Sequence, residues 1–196
     1  MFLAALREST NSHHRNLESS PLLSALFKPD FDRTAYTLIL KKFYGFLLPL
    51  EALVYEPALW SGWGLDIERR RKASLLEKDL IYLGCGQYDL GTIPLCRDLP
   101  PTGDINMCLG ILYVCEGSTL GGQVISKKLS QSLGTGPERG GSYFSGYGSQ
   151  TVPLWKILCE KIESYAASNE SARPMIENAA SATFEKMKNW FDKEEV

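Results

Sequence analysis

The chain has 196 residues, 44% of them hydrophobic and 22% charged, with a formal net charge of −2. That length suits one domain over residues 1–196 with a single core, and interspersed, nearly balanced charge argues against a nucleic-acid surface. Arg7 and Glu8 precede any apolar run long enough for a signal peptide, no uncharged stretch approaches membrane-spanning length, and the five cysteines include no C-x-x-C pair, so a soluble, cytoplasmic protein with reduced thiols and neither a nucleic-acid nor a membrane partner is expected.

Leu3, Leu6, Thr10 and Leu17 recur at helical spacing, which predicts an amphipathic helix over residues 2–18. It carries the chain's only histidines, His13 and His14. They fall to either side of the apolar stripe, and periodicity does not choose between them. Pro21 restarts the chain into a short apolar segment ending near Phe27. Asp32 then caps a long helix to about Glu56, with Pro49 expected to kink it.

After the loop Trp60 to Gly64, Asp66 is expected to cap a helix reaching Leu83, with the basic cluster Arg69 to Lys72 as its solvated face. Residues 84–103, punctuated by glycine and proline, read as loop. Asp104 caps a further helix that ends at Gly134. Within it the stretch Tyr113 to Val124 holds Gly117, Gly121 and Gly122, each costing about 1 kcal/mol against alanine. Gly117 and Gly121 share one face, so something approaches the backbone closely there, either a ligand or a packed helix.

Residues 134–149, with Tyr143, Phe144 and Tyr147 among glycines, form either a flexible aromatic lid or a long connection. A helix over 151–167 carries Trp155 and Lys156 in its first turns, and Pro174 opens a last helix with the stripe Ile176, Ala180, Thr183, Phe184 and Met187. No period-two alternation occurs, so the fold class is all-α.

A serine-hydrolase reading of Ser118 lacks the strand-to-helix elbow. A cysteine nucleophile at Cys115 or Cys108 has no local motif behind it. Adjacent histidines on a helix point about 100° apart, so at most one binds a given metal. One imidazole and a glycine-thinned helix able to lie against a flat face fit haem with a single axial histidine.

The motif Leu6-Arg7-x-x-Thr10-x-x-x-His14-x-x-Leu17-Glu18 resembles the proximal helix of haem oxygenases. Tyr113-x-x-Glu116-Gly117-Ser118-x-x-Gly121-Gly122-Gln123 resembles their distal helix. The bacterial subgroup that accompanies bacteriophytochromes is the nearest, and the aromatic loop, Trp155-Lys156 and the Thr183-Phe184 helix extend the likeness over nearly the whole chain. The resemblance implies a multi-helix bundle with haem b between the proximal helix and a kinked distal helix. It places His14 at the axial-ligand position of the iron, Glu18 as its orienting carboxylate, and Arg7 and Lys156 as propionate partners. Gly117, Ser118, Gly121 and Gly122 then form the distal wall, with Phe184 also lining the pocket. The implied activity is oxidative opening of haem, cofactor and substrate at once, to biliverdin, iron(II) and carbon monoxide. It uses O2 and electrons from a reductase or ferredoxin, and serves either to supply the bilin to a bacteriophytochrome or to release iron.

Two positions depart from the wider family pattern. Ser118 stands where many members carry an aspartate that anchors the distal waters, although the bacterial subgroup shares this serine. Glu160 stands where some relatives have an arginine near the propionates. A non-catalytic haem or bilin binder, and a thiaminase-like cysteine enzyme on the related fold, are the competing readings.

Overall fold

Asp32 and Asp104 start the two longest helices. The Asp32 carboxylate accepts the Ala35 N–H at 2.8 Å, and that of Asp104 accepts the Asn106 and Met107 N–H groups at 2.7 and 3.0 Å. The computed structural model describes residues 1–193, and all regular elements among them are helical. They are α1 (Phe2–Glu18), α2 (Pro21–Ala25), α3 (Arg33–Val54), α4 (Ala73–Tyr82), α5 (Gln87–Thr92), α6 (Ile105–Leu133), α7 (Ser142–Ser145), α8 (Thr151–Ser168) and α9 (Arg173–Phe191). Short 3-10 turns add Pro57–Trp60, Glu68–Arg70, Gly148–Gln150 and Glu170–Ala172.

The core is organised along α9, against which both α1 and α6 pack. Gly110 permits the α6 contact: a Cβ there would lie 2.3 Å from the Ile176 carbonyl oxygen and 2.9 Å from Ala179 Cβ. α6 is long and apolar enough by composition to cross a membrane, but half of that window is buried inside the bundle. Through its glycines α6 stays one run of helix, and Gly134 at φ 68° ends it in the left-handed conformation.

Pro49 sits inside α3 and has no N–H for the Gly45 carbonyl one turn back. The Cys96 N–H takes that acceptor at 2.8 Å. Gly45 admits the incoming loop, since a Cβ there would lie 2.4 Å from the Pro94 oxygen and 2.9 Å from the Trp190 ring.

Three expectations are corrected. The helix anticipated from Asp66 to Leu83 is split: Asp66 accepts only the Arg69 N–H of a 3-10 turn, and α4 starts at Ala73. The cause is that Arg70 and Lys72 turn inward and are buried, so Arg69 to Lys72 is no uniformly solvated face. Residues 84–103 contain α5, whose Asp89 carboxylate accepts the Gly86 N–H at 2.8 Å. Of the two readings of the aromatic segment 134–149, the structure shows the connection, packed against the core. The Asp79 carboxylate accepts the N–H groups of Ser142 and Tyr143, both at 2.8 Å, and Tyr143 and Phe144 bury their rings against Phe43 at 5.0 and 5.9 Å.

Gly110→Ala should lower the unfolding free energy by about 1–3 kcal/mol through overpacking. Gly121→Ala, with nothing within 4 Å of the added Cβ, should raise it by up to about 1 kcal/mol through helix propensity. Urea denaturation of the two variants checks this, and shifts of the same sign would contradict it.

Candidate functional site

α1 presents His14 at its exposed side, half accessible, with Nδ1 3.5 Å from Glu18 Oε2 one turn on. Its ring meets Phe184 of α9 edge-on at 5.5 Å between centroids. Nε2 has no hydrogen-bond partner among the described residues, so the imidazole is oriented from one nitrogen and open at the other. His13 makes no comparable contact among the described residues. Phe184 lies one turn beyond Ala180, whose backbone abuts Gly110, so α9 links the histidine helix to the glycine helix.

α1 also reaches α6 through Tyr113. Burial and the neighbouring Cys159 raise its phenol pKa, while the Thr10 hydroxyl and the Arg7 charge lower it. His14 lies one turn beyond Thr10, and Gly117 one turn beyond Tyr113. The glycines have separate surroundings. A Cβ at Gly122 would come 3.2 Å from the Phe144 carbonyl oxygen, and one at Gly117 would touch the edge of the Trp155 ring at 3.4 Å. Gly121 faces open space. Ser118 is exposed, and its hydroxyl donates to the Cys115 carbonyl at 2.8 Å. Arg7 and Lys156 are exposed cations whose side chains have no ion pair among the described residues.

An open imidazole nitrogen, an adjacent carboxylate, cations without an ion pair among the described residues and a helix face without a Cβ are, by type, the groups that a flat, dianionic metalloporphyrin would call on. Among the described residues no three His, Cys, Asp or Glu side chains converge as a metal cluster.

Behind the glycines lies a cluster to which the sequence assigned no role. Glu116, 1% exposed, receives Arg70 Nη1 at 2.5 Å, the Lys72 ammonium, and the Tyr147 hydroxyl at 2.7 Å. Arg70 Nη2 donates to the Leu154 carbonyl at 3.3 Å, and the Lys72 backbone N–H donates to Glu51 at 2.6 Å. Burial alone would lower the Lys72 pKa; the Glu116 carboxylate and Tyr147 reverse this and hold the ammonium above its ordinary value. Burial raises Glu51, offset in part by the Lys72 and Ala73 N–H groups. The available sign was a charged residue on the apolar stripe, since Glu116 sits between Leu112 and Thr119 on the buried side of α6.

The family model described as "Heme oxygenase" matches residues 1–193. Among solved structures, heme oxygenase from Leptospira interrogans has a TM-score of 0.73 at 17% identity, over 97% of this chain and 98% of that one. Heme oxygenase-1 from the cyanobacterium Synechocystis sp. PCC6803, in complex with heme, has a TM-score of 0.70 at 13% identity, over 97% and 90%. At these identities the structural likeness speaks for the fold. No curated protein matches the chain by sequence.

The cysteine-nucleophile reading meets a physical obstacle. Burial pushes the Cys115 thiol up to about 12 and that of Cys108 up to about 11, so both stay protonated at neutral pH. Unfolded thiols ionise near 9.0, so these two groups make stability fall as pH rises above that value toward the folded ones. Iodoacetamide at pH 8 should label the half-buried Cys85 before Cys115 or Cys108, read by peptide mass spectrometry. Preferential labelling of Cys115 in the folded chain would reinstate it as a nucleophile.

Proposed function

Because the chain belongs to the haem oxygenase family, we propose that it opens haem oxidatively to biliverdin, iron(II) and carbon monoxide. O2 and electrons from a reductase or ferredoxin are the co-reactants, and the bilin produced is suited to serve as chromophore for a bacteriophytochrome. The observation that carries the reading is the His14 imidazole, held by Glu18 at Nδ1 and by the Phe184 ring edge, with Nε2 open.

Bound haem supplies the iron at which O2 is activated. The other tasks fall to the chain. His14 Nε2 would ligate the iron, with the Glu18 carboxylate 3.5 Å from Nδ1, close enough to favour the tautomer that carries its proton there. Gly121, lacking a Cβ and facing open space, would let a flat ligand approach the α6 backbone, while the Trp155 ring borders Gly117. Gly122 keeps α6 close to α7. Arg7 and Lys156 would pair with the propionates. Ser118 spends its single proton on the Cys115 carbonyl, so its hydroxyl serves a distal water as acceptor. It positions that water without supplying charge or a proton of its own, and the proton reaches the site through water.

Titration with haem, followed by O2 and reductant, tests the function. A Soret band saturating at one equivalent and then decaying to a bilin spectrum is expected. No Soret band at stoichiometric haem would refute it, and ligated haem that is unchanged under O2 and reductant would mark a binder. His14→Ala should abolish the ligated spectrum while His13→Ala retains it, and the reverse would move the axial ligand to His13.

A further inference from the structure

The open face of α6 is set from behind. Residue 116 precedes Gly121 by five positions, so at about 100° per residue its side chain leaves the helix roughly 140° away from that glycine. On the open side no heavy atom of the described residues lies within 4 Å of a Cβ built at Gly121, so the helix is not packed against a neighbour at that position. The glycines themselves leave the backbone locally soft. The opposite side of α6 packs into the core, and there Glu116 adds a directional ionic grip to the apolar contacts.

We propose that Glu116 is a positioning residue for the haem-opening reaction. Held by Arg70, Lys72 and Tyr147, its carboxylate fixes the rotation of the Gly117 to Gly121 stretch over the porphyrin and so selects which meso carbon is attacked. This rests on the proposed activity.

The three donors come from segments outside α6: the 3-10 turn Glu68–Arg70, the residue preceding α4, and the loop after α7. Arg70 joins two of the elements concerned. One of its nitrogens donates to Glu116 on α6, and the other to the Leu154 carbonyl on α8. Leu154 immediately precedes Trp155, whose ring edge meets Gly117, so one guanidinium fixes both sides of that contact. Lys72 is secured in turn by Glu51 on α3 and by the Arg70 carbonyl at 3.1 Å. Tyr147 donates to Glu116 and accepts from Lys72 at 3.1 Å, and beside it Gln123 of α6 donates to the Gly148 carbonyl at 3.4 Å. Ser118 is tied by its hydroxyl to its own helix, so any rotation of α6 moves the distal acceptor together with the glycine wall.

The test compares full-length wild type, Glu116→Gln and Tyr147→Phe. Tyr147→Phe removes one hydroxyl and leaves both ion pairs, so it remains informative if Glu116→Gln fails to fold. Besides the Soret maximum and thermal stability, three properties are read: the ratio of biliverdin isomers by chromatography, the pH at which the ferric haem spectrum titrates, and amide hydrogen exchange across residues 113–124 without haem. The expected result for Tyr147→Phe is an unchanged Soret maximum, an isomer ratio altered at least about twofold, and exchange across the stretch about tenfold faster. Glu116→Gln, where folded, should exceed Tyr147→Phe in each and shift the spectral titration. Loss of thermal stability with wild-type isomer ratio and titration would make Glu116 merely structural and overturn the proposal. If wild type binds haem but yields no bilin, the proposed function fails, and exchange and titration decide the grip: wild-type values in the variants overturn it.

Discussion

A carboxylate taken out of water at Glu116 constrains much of the molecule. Desolvating an ion costs several kcal/mol, so such a group persists only where partners saturate it. Here two cations and a phenol do so, all buried or half-buried. To deliver Arg70 and Lys72 inward, the chain makes only a 3-10 turn, Glu68–Arg70, between Asp66 and Ala73 and begins α4 after it. The start of α4 is capped from another element, because Glu51 of α3 accepts the Lys72 and Ala73 N–H groups. Tyr55 adds to this by donating to the Arg70 carbonyl at 3.2 Å. Two acidic residues on the buried sides of α3 and α6 therefore decide where a basic segment from between those helices must lie.

Three of the four glycines of α6 answer different requirements. Gly110 lets two helices touch backbone to backbone, Gly122 admits α7, and Gly121 leaves a face uncovered. Only the last is unexplained by packing within the chain. The shared contact with α9 then brings this helix into one frame with α1 and its half-exposed histidine, whose ring rests on Phe184. The uncovered face and the core packing thus lie on different sides of the same helix.

Much of the architecture was legible because its determinants are local. Aspartates at 32 and 104 and glycine at 134 mark helix ends through bonds within a few residues, and the stripes of α1, α8 and α9 are periodic. The family motif singled out His14, and the structure gives that residue, unlike His13, the contacts to Glu18 and Phe184. What escaped is non-local. The burial of Arg70 and Lys72 depends on a carboxylate more than forty positions away, and a run of basic residues otherwise reads as solvated. The packing of Tyr143 and Phe144 depends on Asp79, some sixty positions earlier, whose carboxylate replaces the backbone acceptors that a helix or strand would have supplied.

The most direct measurement is a crystal structure of the chain with haem. The expected result is iron bound to His14 Nε2, with Glu18 on Nδ1 and the α6 backbone at Gly121 facing the opposite side of the porphyrin. Haem ligated by His13, or seated away from the uncovered face of α6, would contradict the assignment of α1 and α6 as the two walls of the site.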